Sequence, residues 1–230
     1  MNRKEKTAGL LAGISLIVMA IAAGFSYGYV NNQLLGESAE ITRQSLLENK
    51  PLFLAGLAGW VVIFITDLIV SVALYIVFES TSKCISLFTS LVRIIYTIIL
   101  GVAIYQLMVI VPELTNTEAG IDINAQFASF GKIWSAGLII FGLHLLGLGY
   151  LSIKSQNIPG ILGYLLYIAG VGYMLIHAAK QFALFNPDLI NSTESILALP
   201  MALGELLLAG WLIYKGLKRQ ESVKFNGKKR

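Results

Sequence analysis

The apolar positions of this chain fall into six long continuous stretches separated by short polar segments. A hydrocarbon core of about 30 Å takes roughly 20 helical residues to cross, and each stretch is close to or above that length. Continuous apolar runs predict helices, because a membrane-spanning barrel would alternate polar and apolar positions. The predicted spans cover residues 8–30, 52–78, 84–111, 130–153, 158–178 and 196–214, followed by a basic tail at 215–230.

The composition supports an all-α polytopic membrane protein with a single six-helix transmembrane domain. Hydrophobic residues make up 56% of the 230 residues and charged residues 13%, whereas soluble domains carry about a quarter charged residues. The first stretch begins with basic residues as a signal peptide would, but its apolar run continues to Val30. That length favours a retained helix.

Lysine and arginine residues concentrate on one side of the predicted membrane. The positive-inside rule therefore predicts that both termini are cytoplasmic. The net charge of +4 could suggest nucleic-acid binding, but the basic residues cluster beside membrane ends, where topology and anionic lipid explain them better. We expect membrane lipid and no nucleic acid as partner. Trp60 and Trp134 near the outer interface, and Trp211 near the inner one, are typical of aromatic anchors.

Four glycines predict close packing of the fourth and fifth spans. Gly149 and Gly163 are equally far from the turn between these spans, as are Gly142 and Gly170. In an antiparallel hairpin each pair should face each other and let the backbones approach. A glycine-lined path for a substrate is the alternative interpretation.

Asp67, Arg93, His144 and Glu205 lie in four different spans at a similar predicted depth near the midplane. A charge at the centre of a membrane helix costs about 2.5 to 3.5 kcal/mol on insertion scales. Such residues therefore face protein, pair with one another or serve a function. We name these four residues the charged layer.

Asp67 and Arg93 are natural ion-pair partners across the short turn between the second and third spans. Such a pair explains both residues through helix packing alone, and a ligand or proton site explains them equally well. Glu205 has no such assured partner. Pro200, one turn earlier, cannot donate to a backbone carbonyl, so we expect a local bend there. Tyr167, at a similar depth, could complete a proton relay.

The charges of the layer add up to zero only with a bound proton. Two acids face one arginine, so either His144 is charged, or one acid is protonated, or the sum is minus one. This imbalance suggests proton binding, although a lone histidine in an apolar helix is more often a structural residue.

Several chemistries are not supported by the sequence. Two histidines at different depths and the single Cys84 offer no metal-ligand cluster, so we expect no metal and no cofactor. No nucleophile with motif context is present, and an intramembrane enzyme is the least favoured class.

The basic start Arg3 to Thr7, the helix from Asp67 to Leu74 and Tyr75, and Arg93 on the next helix form a recurring pattern. The final span adds the series Leu199, Pro200, Glu205, Trp211, Leu212 and Gly216. Together these resemble the bacterial domain of unknown function 4386 family. The resemblance implies an uncharacterised multi-pass protein of the bacterial cytoplasmic (inner) membrane and no known activity.

Two hypotheses follow for the function. In the first, the charged layer binds, or moves, a small solute, lipid or proton, which requires a cavity that reaches the layer. In the second, the protein is a structural or partner-binding membrane subunit whose buried charges only specify helix packing.

Overall fold

The computed structural model describes residues 1–115 and 120–218, and within these residues it contains helices and no strand. Six helical segments in this part of the chain are long and apolar enough to span a membrane, which confirms the predicted fold class. They are Arg3–Leu34, Lys50–Phe78, Lys83–Leu114, Ile123–Lys154, Gly160–Gln181 and Asp188–Leu217. Of the predicted basic tail, residues 219–230 lie outside the described residues.

The helices are numbered in chain order. They are α1 (Arg3–Ala23), α2 (Asn31–Leu34), α3 (Ala39–Glu48), α4 (Lys50–Phe78), α5 (Lys83–Ile110), α6 (Ile123–Lys154), α7 (Gly160–Gln181) and α8 (Pro187–Leu217). A π-helical segment, Gly24–Val30, joins α1 to α2, and the 3₁₀ turn Val111–Leu114 follows α5.

Side-chain caps explain where several helices begin. Asn2 accepts a hydrogen bond from the backbone N–H of Glu5, whose side chain accepts one from the N–H of Asn2, so α1 starts with a complete capping box. The Asp122 side chain accepts from Ala125 N at the start of α6. Asn186 accepts from the N–H of Asp188 at the start of α8. These polar residues satisfy backbone donors that a helix end leaves free.

The spanning helices form a closed ring. From α4 to α8, each helix packs against the next in the chain, and α1 packs against both α4 and α8. The first and last spans are therefore neighbours, and all of these helices share one interior.

The described ends of the chain lie at the same end of this ring. Lys6 Nζ donates to the backbone carbonyl of Lys218 at 2.9 Å, and Lys4 Nζ pairs with Glu79 Oε1 at 3.0 Å. The amino terminus donates to Asn157 Oδ1 at 3.1 Å. We call this the terminal end, which also carries the turns 79–82 and 155–159, and the opposite one the loop end. Which compartment each end faces stays a prediction.

The glycines of α6 and α7 lie opposite each other where these helices cross. A Cβ atom built on Gly163 would lie 2.6 Å from Gly149 O, and one built on Gly149 would lie 2.8 Å from Gly163 O. The same distances, 2.6 and 2.8 Å, relate Gly142 and Gly170. The two backbones are thus in direct contact at both pairs, as close packing requires. In α8, the helix is continuous across Pro200, whose side chain lies outside the described ones.

Candidate functional site

Arg93 lies at the centre of the ring and joins two carboxylates. Its side chain is fully buried on α5. Its Nε and Nη2 atoms contact Asp67 Oδ1 of α4 at 2.8 and 2.6 Å, so the structure places the expected partners of the hairpin together. Its Nη1 atom donates to Glu205 Oε1 of α8 at 2.7 Å. The expectation that Glu205 lacks an assured partner is therefore wrong, because one guanidinium has enough donors for both acids.

His144, on α6, completes the layer as a neutral side chain. Arg93 Nη1 lies 3.0 Å from His144 Nε2, and His144 Nδ1 lies 2.9 Å from the backbone carbonyl of Thr89. A guanidinium only donates, so Nε2 accepts and the ring proton is on Nδ1, which donates to Thr89 O. The alternative in which a charged His144 balances the acids conflicts with this geometry. Two ionised carboxylates beside Arg93 would leave a net charge of minus one.

Two uncharged residues also contact the guanidinium. Arg93 Nη2 lies 3.7 Å from Met19 Sδ of α1, and Arg93 Cζ lies 5.2 Å from the centre of the Phe141 ring of α6. Sequence reasoning did not find these residues, because a methionine or phenylalanine in an apolar span carries no polar signal. With them, side chains from α1, α4, α6 and α8 converge on one residue of α5.

Not every polar atom of the layer has a partner. Asp67 Oδ2, Ser71 Oγ and Thr89 Oγ1 are buried and accept or donate no hydrogen bond within the described residues. Nearby, Ser90 Oγ donates to Ser71 O at 2.6 Å and fixes α5 against α4. The layer therefore keeps spare capacity for a proton or a water molecule beside its ion pairs.

Tyr167 lies outside the network of the layer. Its half-buried ring packs against Gly149, where a Cβ atom would approach Tyr167 Cγ to 3.3 Å. Within the described residues, the hydrogen bonds of Arg93, Asp67 and Glu205 do not include its hydroxyl. A relay through Tyr167 remains a prediction that these contacts do not test.

A cavity of about 1260 Å³ opens at the loop end among α1, α6, α7 and α8. We call it the vestibule. Aromatic and polar side chains both line it, including Tyr27, Trp134, Tyr173, His177 and Glu194. Trp134 and Tyr27 meet edge to face with ring centres 4.9 Å apart, which builds part of its aromatic wall.

The inner end of the vestibule lies about one helical turn from the charged layer, and none of the four layer residues lines it. Three residues that line this inner end, which we call the floor, each lie one helical turn nearer the loop end than a residue that contacts Arg93. Ala23 lies one turn from Met19, Leu138 one turn from Phe141, and Met201 one turn from Glu205. On α7, the floor residue Tyr173 meets the Phe141 ring at 5.3 Å. Asp67 and Arg93 are fully buried, whereas the Glu205 side chain keeps 16% of its surface exposed. Glu205 is thus the member of the ion-pair network whose side chain keeps exposed surface.

A second set of polar residues lines the vestibule wall. Ser135 Oγ lies 2.9 Å from His177 Nδ1, and the His177 ring stacks on Tyr173 at 5.9 Å. Nearer the rim, Lys180 Nζ pairs with Glu194 Oε2 at 2.5 Å. Hydrogen-bonding groups therefore extend from the loop end towards the layer. Within the described residues, no group of three or more histidine, cysteine, aspartate or glutamate side chains could hold a metal ion.

Comparison with known proteins agrees with the family resemblance seen in the sequence. The family model described as Domain of unknown function (DUF4386) matches residues 11–216. An uncharacterized protein of Archaeoglobus fulgidus is 35% identical over 178 residues, covering 77% of this chain and 93% of that protein. No solved structure matches the chain.

Proposed function

We propose that this chain, which belongs to the DUF4386 family of proteins of unknown function, binds a proton or a small cation at Glu205. In this proposal the bound species enters through the vestibule and binds the carboxylate oxygen of Glu205 that does not contact Arg93. The proposal places the protein in the cytoplasmic membrane with both termini in the cytoplasm.

The accessibility of Glu205 is the observation that carries this proposal. Its Oε1 atom contacts Arg93 at 2.7 Å, while its side chain keeps 16% exposure and lies one helical turn along α8 from Met201, which lines the vestibule. A carboxylate with one oxygen committed and the other without a protein partner among the described residues can bind a cation without losing its ion pair. Asp67 is sealed from the vestibule and cannot exchange in the same way.

The charge of the layer favours a positive species. Because His144 is neutral, Asp67 and Glu205 exceed the charge of Arg93 by one when both carboxyl groups are ionised. An excess charge in a dry interior is costly, so the site is most stable when a proton or cation balances it. A neutral or anionic solute would leave the excess in place.

Glu205→Gln tests the proposal. We expect the variant to fold, since glutamine keeps the shape and one oxygen to accept from Arg93, and to lose proton uptake by the layer. In the wild-type protein, the infrared absorption of a protonated carboxyl should appear as the pH of the purified protein is lowered. The component of this absorption that Glu205 contributes should be missing from the variant, while the other carboxyl groups keep theirs.

Glu194→Gln is the matched control, because Glu194 lines the same vestibule and pairs with Lys180 instead of Arg93. It should retain the band assigned to Glu205. Native mass spectrometry of the wild type and both variants then measures the retention of a small cation. The wild type and Glu194→Gln should retain the cation, and Glu205→Gln should lose it. A folded Glu205→Gln protein with an unchanged band and unchanged retained mass would refute the proposal.

The complete burial of Arg93 favours a second candidate, a structural membrane subunit. The Arg93 side chain joins α5 to α4, α6 and α8 through its contacts with Asp67, His144 and Glu205. Such contacts are what a role in helix packing requires. Under this candidate Glu205→Gln changes stability only, and neither the infrared band nor a retained cation depends on it.

Cys84 tests the proposed orientation. It is the single cysteine of the chain, is exposed, and follows Lys83 at the start of α5, at the terminal end. A membrane-impermeant maleimide should leave it unmodified in intact cells and label it in inverted membrane vesicles. Thr115→Cys in a Cys84→Ser background places the thiol at the loop end and should show the opposite pattern. Labelling of Cys84 from outside intact cells would contradict the orientation.

A further inference from the structure

A second cavity, of about 870 Å³, is an open groove on the outer surface of the ring between α1 and α4. Ala8 of α1 and Ala73 of α4 form its base, where they are 6% and 2% exposed. Leu11 and Val72 stand at its edges and are 50% and 57% exposed. Small residues at the base between larger residues at the edges produce a slot in an otherwise apolar surface.

The groove has the length of one membrane leaflet. Its α1 side runs from Arg3 to Leu11, which at about 1.5 Å per residue is roughly 12 Å. Half of a hydrocarbon core measures about 15 Å. Since Arg3 lies at the terminal end, the slot extends from that membrane surface towards the midplane. Its open side faces lipid and not the ring interior.

The end of the groove at the membrane surface carries two cations. Arg3 is exposed, and its guanidinium has no side-chain partner within residues 1–115 and 120–218. Lys4 Nζ pairs with Glu79 Oε1, but these side chains are 66% and 31% exposed. An exposed ion pair of this kind contributes little and leaves Lys4 free to bind a second anion. A guanidinium beside an ammonium suits the phosphate of a lipid headgroup.

We infer that this groove is a binding site for an anionic phospholipid of the leaflet at the terminal end. One acyl chain lies in the slot over Ala8 and Ala73, and the phosphate contacts Arg3 and Lys4. The charge at the mouth distinguishes this occupant from an uncharged lipid or an apolar partner helix, neither of which would need two cations there. The site is separate from the vestibule and does not depend on the function proposed for Glu205.

Competition between two lipids tests this inference. The full chain is purified, equilibrated with equal amounts of phosphatidylglycerol and phosphatidylcholine of identical acyl chains, and examined by native mass spectrometry. The wild-type protein should retain phosphatidylglycerol preferentially. Arg3→Gln and Lys4→Gln should each reduce the preference about fivefold, the effect of about 1 kcal/mol per basic residue near a membrane surface.

Two controls separate the headgroup contact from other effects. Lys83→Gln removes an exposed lysine outside the groove at the same end and should keep the preference. Glu79→Gln removes the acidic partner of Lys4 and leaves the charge of Lys4 unchanged. The preference for phosphatidylglycerol should therefore stay the same or increase.

Thr7→Phe tests the slot itself, because Thr7 lines the groove and is exposed. A phenylalanine there should reduce retention of both lipids while the cations remain. The charge variants lie at exposed positions, so they keep the test valid even if Thr7→Phe does not fold. Equal retention of the two lipids by wild type would overturn the inference, as would a preference that survives both charge variants. A second copy of the chain bound in place of lipid would overturn it as well.

Discussion

Replacing Arg93 by alanine is expected to prevent stable folding, with a loss of about 3–5 kcal/mol, the usual cost of breaking a buried ion pair from one side. The variant leaves Asp67 and Glu205 in the interior without their shared cation and leaves His144 Nε2 without a donor. The measurement is the midpoint of unfolding in mixed detergent, with the yield of monodisperse protein as a second readout.

A charge-free combination shows whether the loss comes from unpaired charge. Arg93→Gln together with Asp67→Asn and Glu205→Gln removes all three charges while keeping polar groups that can hydrogen-bond. Its stability should lie well above that of Arg93→Ala, because the dominant penalty is an uncompensated buried charge and not the missing contact. An Arg93→Ala protein as stable as wild type would mean that the arginine does not hold the ring together.

Gly163→Val is expected to have the second large effect, because it inserts a branched side chain where two helix backbones touch. A Cβ atom at this position would lie 2.6 Å from Gly149 O and 3.0 Å from Ile153 N, which are backbone atoms that cannot rotate away. Overpacking of this kind costs about 1–3 kcal/mol, and the cost should rise from alanine to valine. Thermal unfolding of the purified variants measures it.

Gly210→Ala is the matched control for that series. Gly210 lies in α8, and no atom lies within 4 Å of the position that a Cβ would take, so an alanine there meets open space. Removing a glycine from a helix interior should raise stability by about 0.5–1 kcal/mol. The two alanine variants should therefore shift the unfolding temperature in opposite directions. A Gly163→Ala protein that gains stability would contradict the close contact of α6 and α7.

Much of this architecture is predictable because membrane helices relate sequence distance to depth. A rise of about 1.5 Å per residue, together with a short turn, is enough to place Asp67 opposite Arg93. The same reasoning pairs Gly149 with Gly163. These relations are local to one hairpin, where the turn sets the register.

The contacts of Glu205 were not predictable because they depend on closure of the ring. No turn relates α8 to α5, so the sequence does not reveal that one guanidinium reaches both Asp67 and Glu205. The neutral state of His144 likewise depends on a backbone carbonyl, that of Thr89, which has no residue-specific signal. Contacts between spans that are distant in the sequence depend on how each helix is rotated about its own axis, and helix packing sets that rotation.

The aromatic residues illustrate the same limit. The sequence pattern predicts that Trp60 anchors the protein at the membrane surface, but its side chain is 2% exposed and packs edge to face against Phe130 and Trp134 at 4.8 and 5.0 Å. Hydropathy places a tryptophan at a depth and cannot tell whether it faces lipid or protein. Hydropathy likewise gives the depth of Trp134 but does not show that its side chain lines the vestibule.

Closure of the ring by α8 also has a consequence for biosynthesis. The ribosome delivers α8 after the five other spans, and until it is inserted Arg93 has Asp67 as its only acidic partner in the layer. The five earlier spans can therefore assemble around an electrically balanced pair. Glu205 is then added with α8, which packs against α1 and α7. The interior therefore holds a second carboxyl group beside Arg93 only after α8 has been inserted.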